Sequence, residues 1–112
     1  MLSWGNMHVE WRDDKDREAV EKLAKRNVVT DRRMRRIVAA KNFSDLEHPA
    51  FGRAHFLKHD LAGYFAIDLE SKTRPARLIC RPIGDFKKKD EQYIKESITE
   101  FEIVKIEKNY HK

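Results

Sequence analysis

Val20, Leu23, Ala24 and Val28 recur at three- and four-residue steps, with Lys, Arg and Glu filling the positions between them. That spacing lays one apolar stripe along a polar cylinder and predicts an amphipathic helix, which Asp13 or Asp14 can cap. Ahead of it, residues 7–11 (Met-His-Val-Glu-Trp) alternate briefly and predict a short first strand. Thr30 or Asp31 can cap a second helix, in which Met34, Ile37 and Val38 share a face and Arg32, Arg33, Arg35 and Arg36 crowd the rest.

From Phe43 the helical period fades, and Pro49-Ala50-Phe51-Gly52 marks a turn. Strands are expected beyond it. Residues 55–58 form one, and residues 64–69 another, with Phe65, Ile67 and Leu69 on one face and Tyr64, Ala66 and Asp68 on the other. Residues 76–83 form a third, in which Ala76, Leu78 and Cys80 face one way and Arg77, Ile79 and Arg81 the other. The polar stretch 70–75 between the last two is short enough for a hairpin. Gly84-Asp85 interrupts the pattern, so residues 84–99 predict a loop with a helical turn. Residues 100–109 alternate again, Phe101 and Ile103 opposite Val104 and Ile106, and give the last strand. The order predicts an α+β fold, two N-terminal helices packed on one face of a small antiparallel β-sheet.

A chain of 112 residues can close one hydrophobic core, so residues 1–112 are expected to form a single domain. Its 24 Lys and Arg against 19 Asp and Glu leave a net charge of +5, a field that attracts polyanions. Nucleic acid is the first candidate partner; acidic proteins and anionic membranes feel the same field. The single cysteine, Cys80, cannot form an internal disulfide and sits in an apolar run as a small core residue, which suits a reducing compartment. No apolar run reaches the length of a membrane span, and Met1-Leu2-Ser3-Trp4-Gly5-Asn6 lacks the order of a signal peptide. A cytoplasmic protein with no membrane partner is expected.

Histidines stand at positions 8, 48, 55, 59 and 111. His55 and His59 would share a helix face, but in a strand-like segment four residues span roughly 13 Å, and neither a His-Glu-x-x-His run nor a cysteine pair is present. No metal site is expected. The glycines stand isolated at 5, 52, 63 and 84, and no Gly-x-Ser-x-Gly occurs, which removes support for nucleotide hydrolysis and esterase chemistry and implies no cofactor. What remains is a half-sheet with cations and histidines. Metal-free RNA cleavage needs such a set: a base for the ribose 2′-proton, an acid for the departing 5′-oxygen, and fixed cations for the charged pentacovalent phosphorus. Histidine and tyrosine can move the protons, and lysine and arginine can hold the phosphate.

The stretch from His55 to Leu69 (His-Phe-Leu-Lys-His-Asp-Leu-Ala-Gly-Tyr-Phe-Ala-Ile-Asp-Leu) resembles the His-x-Leu-x-Gly-Asp pattern, followed by glycine, an aromatic and an alternating strand, of HigB-like killer proteins in the RelE/ParE toxin superfamily. Arg77-Leu78-Ile79-Cys80-Arg81 resembles that family's arginine-bearing strand, and Ile103 to His111 its final strand with a closing Asp-Tyr-His. The resemblance implies a type II toxin–antitoxin toxin that cleaves messenger RNA on the ribosome and inhibits translation. It implies a cognate helix-turn-helix antitoxin, with operator DNA reached only through that antitoxin. By position it implies catalytic roles for His111, Tyr110, Lys58 and His55. Within this scheme His111 transfers a proton, Tyr110 orients it, and Lys58 with Arg77 or Arg81 steadies the phosphate; Arg32, Arg33, Arg35 and Arg36 add an RNA-binding face.

This sequence departs from the pattern in two places. His59 stands where glycine is usual, bringing an extra imidazole, and Asn109 replaces the aspartate before Tyr110-His111, a loss that Asp60 could offset. Each residue also has a plainer reading. A histidine near a chain end can simply fray, a tyrosine can pack, a lysine can be solvated, and Arg77 or Arg81 can pair with Asp68 or a glutamate across the sheet. His55 and Lys58 are three apart, which on a regular strand puts them on opposite faces; they can serve one site only if the strand ends or bulges near Leu57. The alternative to an enzyme is a non-catalytic RNA- or protein-binding module of the same fold, which Asn109 favours.

Overall fold

A computed structural model of the protein describes residues 7–69 and 76–108. Tyr110, His111 and Asn109, and the expected hairpin at 70–75, lie outside the described residues.

The first strand, β1 (His8–Trp11), leads into α1 (Asp14–Arg26), whose cap is Asp13: its carboxylate accepts the Lys15 N–H at 2.9 Å. Asp14 and Asp16 in the first turn and Lys25 and Arg26 in the last complement the helix dipole. A single residue, Asn27, separates α1 from α2 (Val28–Ala39). Its side-chain oxygen accepts from Val29 and Thr30, at 2.9 and 3.3 Å. The second helix therefore starts ahead of the Thr30 or Asp31 cap expected from the sequence, because an asparagine in extended conformation captures its free N–H groups first. Thr30 is instead buried within the helix, and Val38, expected beside Ile37, is exposed.

A short helix α3 (Phe43–Leu46) and a 3₁₀ turn (Pro49–Phe51) follow, and the chain enters the sheet through Gly52 at φ +103°. The remaining strands are β2 (His55–Phe56), β3 (Phe65–Asp68), β4 (Ala76–Pro82), the pair β5 (Lys88–Lys89) and β6 (Gln92–Tyr93), and β7 (Glu100–Lys108). The main sheet has the order β1-β7-β4-β3-β2. It is antiparallel except at one edge, where β1 lies parallel to β7 with His8 opposite Glu100 and Trp11 opposite Ile103. Residues 84–99, expected as a loop with one helical turn, contain the β5–β6 hairpin as well as a 3₁₀ turn at Lys95–Ser97. Asp90 and Glu91, at φ 53° and 66°, form its two-residue turn.

The core lies on the helix side of the sheet. Val20, Ile37 and Ala40 from the helices close over Phe65, Ile67, Leu78, Cys80, Phe101 and Ile103, all buried. Ile106 joins this side, against the alternation that set it opposite Ile103. The register explains it: Ile79 faces Lys105 while Cys80 faces Ile103, so Val104 is an extra residue, a β-bulge that reverses which face later residues point to. A second aromatic group anchors the hairpin. Phe43 stacks on Phe56 at 4.6 Å and Phe56 on Tyr93 at 4.6 Å, with rings 20° and 6° from parallel.

Candidate functional site

The face of the sheet away from the helices brings together His55, Arg77 and Arg81 of the residues singled out from sequence. Directly opposed residues share a face, so the register gives its rows. One row is Asp68, Arg77, Glu107; the next is His55, Ala66, Ile79, Lys105; a third contains Arg81, Glu102 and Glu10. Ala66 and Ile79 are buried in the middle of this polar lattice.

The geometric condition on His55 and Lys58 is met. Strand β2 ends at Phe56, Leu57 bonds back to Tyr64 through its N–H at 2.9 Å, and Lys58 begins a 3₁₀ turn over His59–Leu61. Lys58 therefore lies past the end of the strand that holds His55, so strand alternation does not fix one against the other. His55 is exposed, with Nδ1 at 3.0 Å from the Arg53 carbonyl, which holds one ring nitrogen in place. Lys58 and Asp60 are exposed as well. His59 adopts φ +59°, the left-handed conformation that glycine enters without cost.

Arg77 and Arg81 do pair with glutamates. Arg77 Nε donates to Glu107 Oε1 at 2.6 Å, half-buried, and Arg81 Nε donates to Glu102 Oε1 at 2.6 Å. Each glutamate is held below the ordinary carboxylate range, first by the hydrogen bond from its arginine. Glu102 also accepts from Arg12 Nη2 at 2.9 Å, and this bond raises the Arg12 guanidinium above its ordinary value. Arg12, Glu102 and Lys105 were not singled out from sequence; only the parallel β1–β7 pairing and the β7 bulge bring them to this face.

The four arginines of α2 do not form one surface. Arg32 is exposed, Arg35 pairs with Asp31 at 3.0 Å, Arg36 reaches the Ala50 carbonyl at 3.4 Å, and Arg33 turns inward to the Asp68 carbonyl. Desolvation there lowers the Arg33 guanidinium from its ordinary value. Two of the four therefore tie α2 to the turn and to β3.

A cleft of about 340 Å³ opens between the β2 edge and the hairpin, lined by Phe56, Leu57, Gly63, Gln92, Tyr93 and Lys95. Among the described residues no three His, Cys, Asp or Glu gather as a metal site, and no helix is long and apolar enough to cross a membrane.

Architecture and site together define an α+β fold with a cation-bearing outer sheet face. Among solved structures, the chain is similar to a YoeB/ParE toxin from Agrobacterium tumefaciens, with a TM-score of 0.52 and 14% identity, over 93% of this chain and 100% of that one. The fold is RelE/ParE-like. No protein-family model matches the chain, and no curated protein does.

Proposed function

We propose that this chain is the toxin of a type II toxin–antitoxin system, a single-domain, HigB-like messenger-RNA endoribonuclease acting on the ribosome in the cytoplasm. One observation supports the proposal: within a RelE/ParE-like fold, His55 shares the outer sheet face with Arg77, Arg81 and Lys105, and β2 stops at Phe56, so strand alternation does not set Lys58 on the opposite face. In the proposed reaction the ribose 2′-oxygen attacks phosphorus and the P–O5′ bond breaks. A base removes the 2′-proton, an acid protonates the 5′-oxygen, and a 2′,3′-cyclic phosphate remains. His111 and Tyr110 are the proton-transfer pair of this reading, with His55 and His59 at hand, and Lys58 holds the phosphate; Asp60 takes the place of the carboxylate that Asn109 lacks. No metal or cofactor enters the scheme. The cognate partner is a helix-turn-helix antitoxin, through which alone the complex would meet operator DNA.

The binding-module alternative is favoured by a specific observation, the engagement of Arg77 and Arg81 by glutamates, which neutralises much of the charge expected to face a phosphate. Expression in a bacterial host separates the two. The enzyme arrests translation and leaves messages ending in cyclic phosphates, and His111→Ala relieves both while the variant stays folded. Arrest without cleaved messages favours the binding module, and equal toxicity of wild type and His111→Ala removes the role given to that residue.

A further inference from the structure

Glu102 Oε1 accepts two hydrogen bonds, from Arg81 Nε at 2.6 Å and from Arg12 Nη2 at 2.9 Å. The two arginines come from different parts of the sheet. Arg81 lies on β4, and Arg12 follows β1, fixed by its own N–H to the Ile103 carbonyl at 3.0 Å. Only 16% of the Glu102 side chain is exposed, against 46% and 45% of the Arg12 and Arg81 side chains. The shared carboxylate is therefore the base of the arrangement, and the two guanidiniums stand above it in solvent.

Glu10 lies opposite Glu102 on the same face and balances the second positive charge, but each guanidinium keeps N–H donors beyond those given to Glu102. Such a pair suits a tetrahedral anion. A phosphodiester presents two free oxygens at tetrahedral angles, and two forks approaching from different strands can each meet one. Arg77 lies four residues from Arg81 on the same face of β4, roughly 13 Å along the strand, and is itself paired with Glu107 at 2.6 Å. The chain that the ribonuclease reading brings to this face repeats its phosphates, and the Arg12–Arg81 pair would meet one of them.

We propose that Arg12 and Arg81, braced by Glu102, form a phosphate clamp that grips a backbone phosphodiester of single-stranded RNA on the outer sheet face. This rests on the ribonuclease reading of that face and adds Arg12 as a binding residue and Glu102 as a positioning residue.

The test uses a labelled, 2′-O-methylated oligoribonucleotide, which binds without being cleaved, and anisotropy titrations over a range of salt concentrations. Arg12→Ala is expected to weaken binding for all sequences tested and to reduce the slope of log affinity against log salt by about 0.7, one single-strand phosphate contact. Glu102→Ala raises the net charge by one, so a purely non-specific field would tighten binding; the clamp predicts weaker binding because both arms are released. Lys25→Ala, which removes the same charge from α1, controls for the overall field. Matching thermal melts confirm that each variant is folded. Tighter binding by Glu102→Ala, or equal losses for Lys25→Ala and Arg12→Ala, overturns the clamp. So does a loss confined to an acidic peptide probe, which would assign the pair to a protein partner. Intact Arg12-dependent binding in a protein that cleaves no message refutes the enzyme and leaves the clamp standing.

Discussion

Gly52 sits where α2, the Pro49–Phe51 turn and β3 converge, and a methyl group there has nowhere to go. A Cβ built at Gly52 would collide with the Ile67 Cγ2 methyl and stand 2.7 Å from the Asp68 carbonyl oxygen. Neither neighbour can yield easily: Ile67 is fully buried, and the Asp68 carbonyl accepts from Arg33 while its N–H donates to the Gly52 carbonyl at 2.8 Å. Overpacking a site of this kind costs about 1–3 kcal/mol. The backbone adds a second cost, since φ +103° is left-handed and an L-residue there loses on the order of 1–2 kcal/mol. Gly52→Ala should thus lose about 2–5 kcal/mol, a large share of a stability of about 5–15 kcal/mol. At roughly 4 °C per kcal/mol this lowers Tm by about 8–20 °C. Gly63→Ala is the control. It shares the positive φ, at +90°, but its nearest neighbour is the Tyr93 hydroxyl at 4.0 Å, so only the conformational cost applies. Urea denaturation of both variants isolates the steric part as their difference. Equal losses would refute the packing described around Gly52.

Asn27→Ala removes the acceptor for Val29 and Thr30 and should cost about 1 kcal/mol, read as a lower denaturation midpoint with an unchanged slope. His59→Gly relieves a left-handed φ at the price of chain entropy, so the two effects should nearly cancel; a loss above about 1 kcal/mol would show that the imidazole makes contacts of its own. Glu107 titrates below its ordinary value near 4.5 because Arg77 hydrogen-bonds its charged form. A depressed folded pKa gives stability that is complete above the unfolded value and is lost as pH falls toward the folded one, so Glu107→Gln should flatten the fall in Tm between about pH 5 and about pH 3. Burial pushes the Cys80 thiol well above its ordinary range, and a disulfide reagent at neutral pH should label it only as fast as the protein unfolds; rapid labelling of the native state would contradict the packing of β4.

Where one periodicity ran unbroken, the sequence was sufficient. The stripe through Val20, Leu23 and Ala24 gave α1, though Val28, read as its last member, instead opens α2 and is exposed, and the alternation at 64–69 gave β3. The misses lie where backbone chemistry is carried by residues that are weak signals. Asp90-Glu91 forms a turn usually marked by Asn-Gly, so the β5–β6 hairpin was not visible. One extra residue at Val104 left a two-sided pattern that is not two-sided in space. For the candidate site, His55, Lys58, Arg77 and Arg81 were singled out through a motif, whereas the Arg12–Glu102 contact depends on strand pairing across most of the chain. No local pattern records such a pairing.

The place of β7 sets a timetable for the fold. It is the last strand in the sequence of the described residues, yet in the sheet it lies between β1 and β4, and the Arg12–Glu102 contact joins positions 90 residues apart. At about 5–20 residues per second, a nascent chain would wait on the order of 5 to 20 s between making β1 and making the strand that receives it. During that interval β3 and β4 hold an apolar face with its neighbour missing, and the outer face has only half of its charged rows. Closure of the core and completion of the charged face thus fall in a single late event. A polypeptide stopped before Glu100 would have neither, and whatever the outer face binds could be held only after β7 has been made.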